Sequence, residues 1–256
     1  MNYMGSKSRI AKHIVPIIQK YIDDNNIHDY IEPMCGGCNV IDKIKCDRKY
    51  AYDLNKYLIY LFMHVKSGGK LPDTISKETY DMARKAWKTD NKPKVFEDWM
   101  IGCIGWLCSY NGRGFDGGYS YEGDERRKDR TVIHRNYYHE RKDNLIKQAQ
   151  QPLFQDIMFG ISDYRRLDNP RDSLENYVIY VDPPYAGQKQ YANTDCFNYE
   201  EFWNIMRQWS KNNIVLISEL NAPDDFECIW QQEVSRSIKA KDKMIATEKL
   251  FKWKGH

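Results

Sequence analysis

The chain lacks the features that would place it in a membrane, a secretory pathway or around a structural metal. No stretch approaches the roughly 20 apolar residues that span a bilayer. The best candidate, Trp99 to Cys108, is about half that length and is interrupted by Gly102 and Gly105. Lys7, Arg9 and Lys12 are followed by no adequate apolar core, which argues against a signal peptide. The cysteines number seven, an odd count, and Cys35-x-x-Cys38 has no second Cys or His pair at zinc-site spacing. They read as reduced, mostly buried thiols, which excludes a disulfide scaffold. There is no internal repeat and no low-complexity tract. The dinucleotide fingerprint G-x-G-x-x-G is also absent, so no loop is built to hold a pyrophosphate. A cytoplasmic protein follows as the expectation.

The 256 residues suffice for one α/β domain plus an insertion or small second domain. The net charge of +3 argues little, but it is unevenly spread. Residues 1–65, 66–150 and 151–256 carry +2, +4 and −3, so the middle third holds the basic excess expected of a nucleic-acid-facing segment.

The most informative feature is Asp182-Pro183-Pro184-Tyr185, at the end of the apolar run Tyr177-Val178-Ile179-Tyr180-Val181. That run reads as a buried parallel strand. Ligands bind outside the C-terminal edges of such strands. Two consecutive prolines hold the backbone extended and offer no N–H. What remains is an acceptor-rich hook with an aromatic ring beside it, suited to a planar amine such as the exocyclic amino group of a nucleobase. The polar loop Ala186 to Asn198 is placed to close over a substrate.

Elsewhere Ser8 to Ile22 has helical spacing in Ile10, Ile14, Ile17 and Ile18, with Pro16 expected to break or kink it. Strands are expected at Asp29–Glu32, at Lys49–Tyr52 ending on Asp53, at Asp156–Phe159, Tyr177–Val181 and Asn213–Ser218, and at Ile229–Ile238 with Met244–Phe251 on the sheet edge. Helices fit Asn55–Val65, Lys77–Lys88, Phe96–Ser109 and Tyr199–Ser210. A Gly-, Arg- and Tyr-rich loop runs from Tyr110 to about Arg135. The α/β core is thus formed by both ends of the chain around an inserted helical segment. Gly36-Gly37 after the first strand and Asp53 at the end of the second fit a nucleoside cofactor without phosphates: glycines allow close backbone approach, and the carboxylate accepts from ribose hydroxyls.

Tyr3-Met4-Gly5-Ser6-Lys7, Glu32-Pro33-Met34-Cys35-Gly36-Gly37, Asp53-Leu54-Asn55 and Asp182-Pro183-Pro184-Tyr185 occur in this order. In that set the chain resembles the Dam-like, D12-class site-specific N6-adenine DNA methyltransferases. The resemblance implies a Rossmann-like class I methyltransferase sheet, with a catalytic domain of residues 1–55 and 145–256 and a mostly helical target-recognition domain of residues 56–144. It implies S-adenosyl-L-methionine as cofactor, lined by Tyr3, Met4, Gly5 and Lys7, with Lys7 available to its carboxylate. Glu32, Pro33 and Gly36 would border the methionine end, Asp53 the ribose, and Asp163-Tyr164 the adenine. Asp182 and the Pro183 carbonyl would accept the target amine's hydrogens, with Pro184 stiffening the hook and Asp182 also bordering the cofactor. Tyr185 would stack on the flipped adenine, because an amine inside a duplex cannot reach the site.

Double-stranded DNA is the implied partner, and a cognate restriction endonuclease a possible one, in a bacterial or phage-infected cell. Asn111 and Arg113 are candidates for reading bases, and Arg126, Arg127, Lys128 and Arg130 for holding phosphates. The chain departs from GATC-recognising relatives at Tyr110-Asn111-Gly112-Arg113, and Ser218-Glu219 stands where Ser-Asn is frequent, so the target need not be GATC. An RNA or protein-amide methyltransferase using the same hook, or a nucleic-acid-binding module without activity, are the alternative readings.

Overall fold

Nine strands and seven α-helices form the described part of a computed structural model. It describes residue 1 and residues 3–127, 129–167, 174–185, 197–239 and 242–255, the stretches 235–239 and 242–246 as backbone alone. Lys128 and most of the loop expected to close over a substrate, residues 186–196, lie outside it.

The apolar run Tyr177–Val181 is a strand, β6, buried at four of its five residues. It lies beside β1 (Asp29–Glu32) at the centre of a seven-stranded sheet. On the far side of β1 come β2 (Arg48–Asp53) and β5 (Ile157–Ile161). Beyond β6 come β7 (Ile214–Glu219), β9 (Asp242–Trp253) and β8 (Phe226–Lys239). The first five of these strands are parallel, while β9 runs antiparallel to both β7 and β8. Every parallel strand therefore ends on the same edge. The chain crosses from one half of the sheet to the other between β1 and β6, the switch point where ligands bind in open α/β sheets.

Helix α1 (Ala11–Asp24) packs under β6 because Ile14, Ile18 and Ile22 recur every fourth residue and are at most 4% exposed. Each such buried side chain contributes roughly 1.5–3 kcal/mol. That outweighs the single hydrogen bond Pro16 removes, and the expected break there does not occur. Pro16 and the Lys12 carbonyl deprived of its donor lie on the exposed face, where solvent serves the carbonyl. The opposite face of the sheet is covered by α7 (Tyr199–Trp209), which buries Phe202, Trp203, Met206 and Trp209 on Ile179, Val181, Val215 and Ile217.

The insertion begins after α2 (Lys56–Lys66), whose first turn is capped by Asn55. α3 (Lys77–Lys88) and α4 (Asp98–Leu107) follow, and α5 (Tyr137–Ala149) and α6 (Pro152–Gln155) return the chain to β5. Its core is continuous with that of the sheet. Between α4 and α5, where the sequence reads as loop, β3 (Glu122–Arg126) and β4 (Val132–Asn136) form an antiparallel hairpin. Its strands are polar and neither face is buried, so they lack the alternation that marks a strand in sequence.

The contact of the insertion with α2 is backbone on backbone. A Cβ at Gly102 would lie 2.1 Å from the Tyr57 carbonyl oxygen, so α4 crosses α2 at a distance only glycine permits. Gly102→Ala is expected to lower unfolding free energy by about 1–3 kcal/mol in urea titrations. A change below about 0.5 kcal/mol, the scale of an ordinary surface substitution, would show that the two helices do not pack this closely.

Candidate active site

The loop after β1 is held open by backbone geometry. Gly36 has a φ of +45°, and its N–H donates to Asp53 Oδ2 at 3.0 Å, while the Asn55 N–H donates to Asp53 Oδ1 at 2.9 Å. Asp53 thus braces the glycine loop against the end of β2 and keeps further lone pairs for a ligand. Burial pushes its carboxyl up against the pull of these N–H groups. A Cβ at Gly36 would lie 3.0 Å from the Tyr3 ring and one at Gly37 2.9 Å from the Tyr3 Cβ, so the Tyr3–Lys7 segment closes one side of the loop. Gln148, at the end of α5, holds the loop from behind: its Nε2 donates to the Gly37 and Cys38 carbonyls and to Asp42 Oδ2.

The hook stands on the neighbouring strand end and is fixed from three directions. Lys7 Nζ donates to Asp182 Oδ1 at 2.6 Å and lies 4.5 Å from the centre of the Tyr185 ring. The Tyr199 hydroxyl, at the start of α7, donates to the Pro184 carbonyl at 2.7 Å. The Tyr185 hydroxyl donates to Glu248 Oε2 on β9 at 2.6 Å. Pro183 is buried and Asp182 is half-buried. Lys7, which the resemblance aims at a cofactor carboxylate, is here engaged by Asp182 and is only 7% exposed.

Glu32, the last residue of β1, is 3% exposed and accepts from the Tyr30 hydroxyl at 2.7 Å. Burial drives its carboxyl up to about 8, against the pull of Tyr30 and with a further push from Asp42 and Asp182. Asp163 and Tyr164 follow β5. The Ser162 N–H donates to the Asp53 carbonyl, which sets this turn beside the end of β2. Asp163 accepts from the Arg165 N–H and guanidinium, and Tyr164 packs on Phe197 and Phe202.

All the cofactor-side and hook residues named from sequence therefore gather on one sheet edge. The recognition candidates join it only in part. The Met4 N–H donates to the Gly112 carbonyl at 3.2 Å, and Tyr3 stacks on Trp106 of α4, which ties the N-terminal segment to the turn bearing Asn111 and Arg113. Asn111 has a φ of +53°, and it and Arg113 are exposed. Asn111 also lines a cavity of about 510 Å³ with Tyr110, Glu125, Arg135 and Tyr137. Arg126, Arg127 and Arg130 sit at the turn of the β3–β4 hairpin and form no ion pair among the described residues, whereas Arg135 is held by Glu125 and Glu140. Tyr199, Glu248, Gln148 and Trp106 escape sequence reasoning because each reaches the site from a distant element. The one local signal is Glu248, a carboxylate at an inward position of the strand that buries Leu250.

Among the described residues no group of three or more His, Cys, Asp or Glu is placed to hold a metal, and no helix is long and apolar enough to cross a membrane. A mostly parallel sheet with a central switch point, an antiparallel last hairpin and an insertion before β5 is the Rossmann-like methyltransferase architecture expected from the sequence. Residues 3–99 match the family of D12 class N6 adenine-specific DNA methyltransferases, which bears out the resemblance over that segment. S-adenosylmethionine is the methyl donor the family implies. Among curated proteins none matches the chain in sequence.

Solved structures similar in fold include TrmN from Thermus thermophilus, at 11% identity and a TM-score of 0.37, covering 94% of this chain and 48% of TrmN. The rRNA methyltransferase aviRa from Streptomyces viridochromogenes is similar at 8% identity and a TM-score of 0.42, covering 96% of this chain and 84% of aviRa. The chain thus spans about half the length of TrmN, and likenesses this distant say nothing about substrate.

The raised Glu32 carboxyl gives a stability test. Between the ordinary carboxylate value of 4.5 and about 8 the unfolded chain releases this proton while the folded one keeps it, so this contribution to stability falls as pH rises. Relative to wild type, Glu32→Gln is expected to gain up to roughly 1.4 kcal/mol per pH unit across that window in denaturant titrations. A pH-independent difference between the two proteins would show that Glu32 is ionised throughout.

Proposed function

We propose that the chain transfers a methyl group from S-adenosylmethionine to N6 of an adenine flipped out of duplex DNA. The observation that carries this reading is the hook: Asp182 and the Pro183 carbonyl stand at the C-terminal end of β6, backed by Lys7, beside a glycine loop and Asp53 on the same edge. The residues present fit the cofactor, since the glycine loop leaves no side chain between Tyr3 and the backbone, and Asp53 has lone pairs for hydroxyls. Tyr3, Met4, Gly5, Lys7, Glu32, Pro33, Gly36, Asp53, Asp163 and Tyr164 would hold it, with Asp182 at its border. When bound, it supplies an electrophilic sulfonium methyl.

The remaining chemistry belongs to the chain. The lone pair of an aromatic amine is delocalised into its ring, so the amine is a poor nucleophile. Accepting both its hydrogens, through Asp182 and the Pro183 carbonyl, favours a pyramidal nitrogen whose lone pair is directed away from the acceptors. Tyr185 provides the ring on which the base stacks, and the ion pair with Lys7 holds the Asp182 carboxylate in one rotamer. Residues 56–144 serve target recognition in this account, with Asn111 and Arg113 at base edges and Arg126, Arg127 and Arg130 on phosphates.

Asp182→Ala is expected to reduce transfer of a tritiated methyl group to duplex DNA by about a thousandfold or more with the fold intact, and Asp182→Asn to fail nearly as far, because an amide presents a misplaced donor. Wild-type turnover in either variant removes Asp182 from the chemistry. Methyl transfer by the wild type to duplex RNA and not to duplex DNA overturns the substrate.

Specificity is tested separately. Arg113→Ala should relax discrimination at one base position by roughly 1–3 kcal/mol, whereas neutralising Arg126 and Arg127 should weaken all sequences alike and flatten the salt dependence. Methylation rates on cognate and singly substituted duplexes at several salt concentrations separate the two. Uniform weakening by Arg113→Ala would assign that residue to phosphate.

A further inference from the structure

We infer that Glu248 is a positioning residue for methyl transfer: from β9 it holds the Tyr185 hydroxyl and so sets the axis of the ring on which the target base stacks. The inference rests on the reading of the hook given above.

Glu248 is 7% exposed and faces the same way as Leu250, which is 0% exposed, while the flanking Thr247 and Lys249 are half-buried. An apolar side chain would continue that buried face. A carboxylate there carries a desolvation cost of several kcal/mol unless strong donors meet it. One donor is the Tyr185 hydroxyl at 2.6 Å, itself on a residue only 8% exposed. Burial, together with the Asp182 and Glu248 carboxylates, pushes the Tyr185 phenol far above its ordinary value, so it remains a donor at any working pH.

Topology explains why this residue can reach the ring. Pairing of β7 with β9 ends at Glu219 opposite Lys249, but β9 continues its pairing with β8 through Glu248, Thr247 and beyond. The β8–β9 hairpin therefore overshoots the edge where the parallel strands stop, and Glu248 is its first residue past that edge.

Geometry then separates two duties. The hydroxyl lies on the long axis of the tyrosine ring, so a bond at the oxygen fixes the direction of that axis but leaves rotation about it open. Rotation is limited by Lys7, whose ammonium sits 4.5 Å from the ring centre while bonded to Asp182. Glu248 sets where the ring points, and Lys7 sets which way it faces. A base stacked on the ring presents its amine to Asp182 only when both are satisfied.

The test compares Glu248→Leu, Glu248→Gln, Tyr185→Phe and the double variant Tyr185→Phe with Glu248→Leu, each checked for folding by thermal melting. The readouts are the single-turnover rate of methyl transfer to duplex DNA, cofactor affinity by calorimetry, and fluorescence of 2-aminopurine at the target position, which stacking quenches. Loss of a hydrogen bond to a charged group should make Glu248→Leu about tenfold slower, with quenching diminished and cofactor affinity within about twofold of wild type. Glu248→Gln, which keeps an acceptor oxygen, should stay within about threefold of wild type. In the Tyr185→Phe background, Glu248→Leu should cost no further rate, because the atom it acts through is gone.

Equal losses from Glu248→Leu in both backgrounds, or unchanged rate and quenching, would overturn the role of Glu248. A wild-type protein that methylates no adenine would overturn the functional reading instead, and the inference with it. The two failures are thereby distinct.

Discussion

The ion pair between Lys7 and Asp182 joins residues 175 positions apart, and the site depends on it. A largely buried ammonium offsets its desolvation only when its partner is held in good geometry. Both sides here are rigid. Lys7 opens a short 3-10 turn immediately before α1, which is seated under β6 by its isoleucine face. Asp182 is followed by two prolines and by a tyrosine and a carbonyl that are each bonded to another element. The same ammonium then faces the Tyr185 ring, so one cation orders both the acceptor and the aromatic surface of the hook.

The segment that carries Lys7 also carries the connections to the rest of the site. Tyr3 lies over the glycine loop and stacks on Trp106 of the insertion, and Met4 bonds the turn that displays Asn111 and Arg113. The glycine loop is held on another side by Gln148, where the insertion ends. The turn bearing Asn111 and Arg113, the glycine loop and the hook are thus connected through residues 3–7. The insertion is packed on α2 by the Gly102 crossing and shares the hydrophobic core of the sheet.

Much of this was legible in sequence where the cause is local. Asp29–Glu32, Tyr177–Val181 and Lys77–Lys88 coincide with observed elements, because an apolar run and a capped amphipathic repeat each carry their own signal. The gathering of Glu32, Gly36, Asp53 and Asp182 on one edge followed from reading their strands as parallel. What stayed hidden is non-local. The β3–β4 hairpin buries neither face, so its pattern is that of a polar loop. Pro16 promised a break that core packing of its neighbours overrides. The partners of the hook, Tyr199 and Glu248, arrive from elements that follow it in the chain, and no spacing rule links them to Asp182-Pro183-Pro184-Tyr185.

The central claim is that this edge methylates the exocyclic amine of adenine in duplex DNA. The measurement that bears on it most directly is mass spectrometry of nucleosides digested from duplex DNA after incubation with the wild-type protein and isotope-labelled S-adenosylmethionine. The account predicts label in N6-methyldeoxyadenosine and in no other nucleoside. Label in a methylated cytosine, or transfer confined to RNA or to protein, would contradict it.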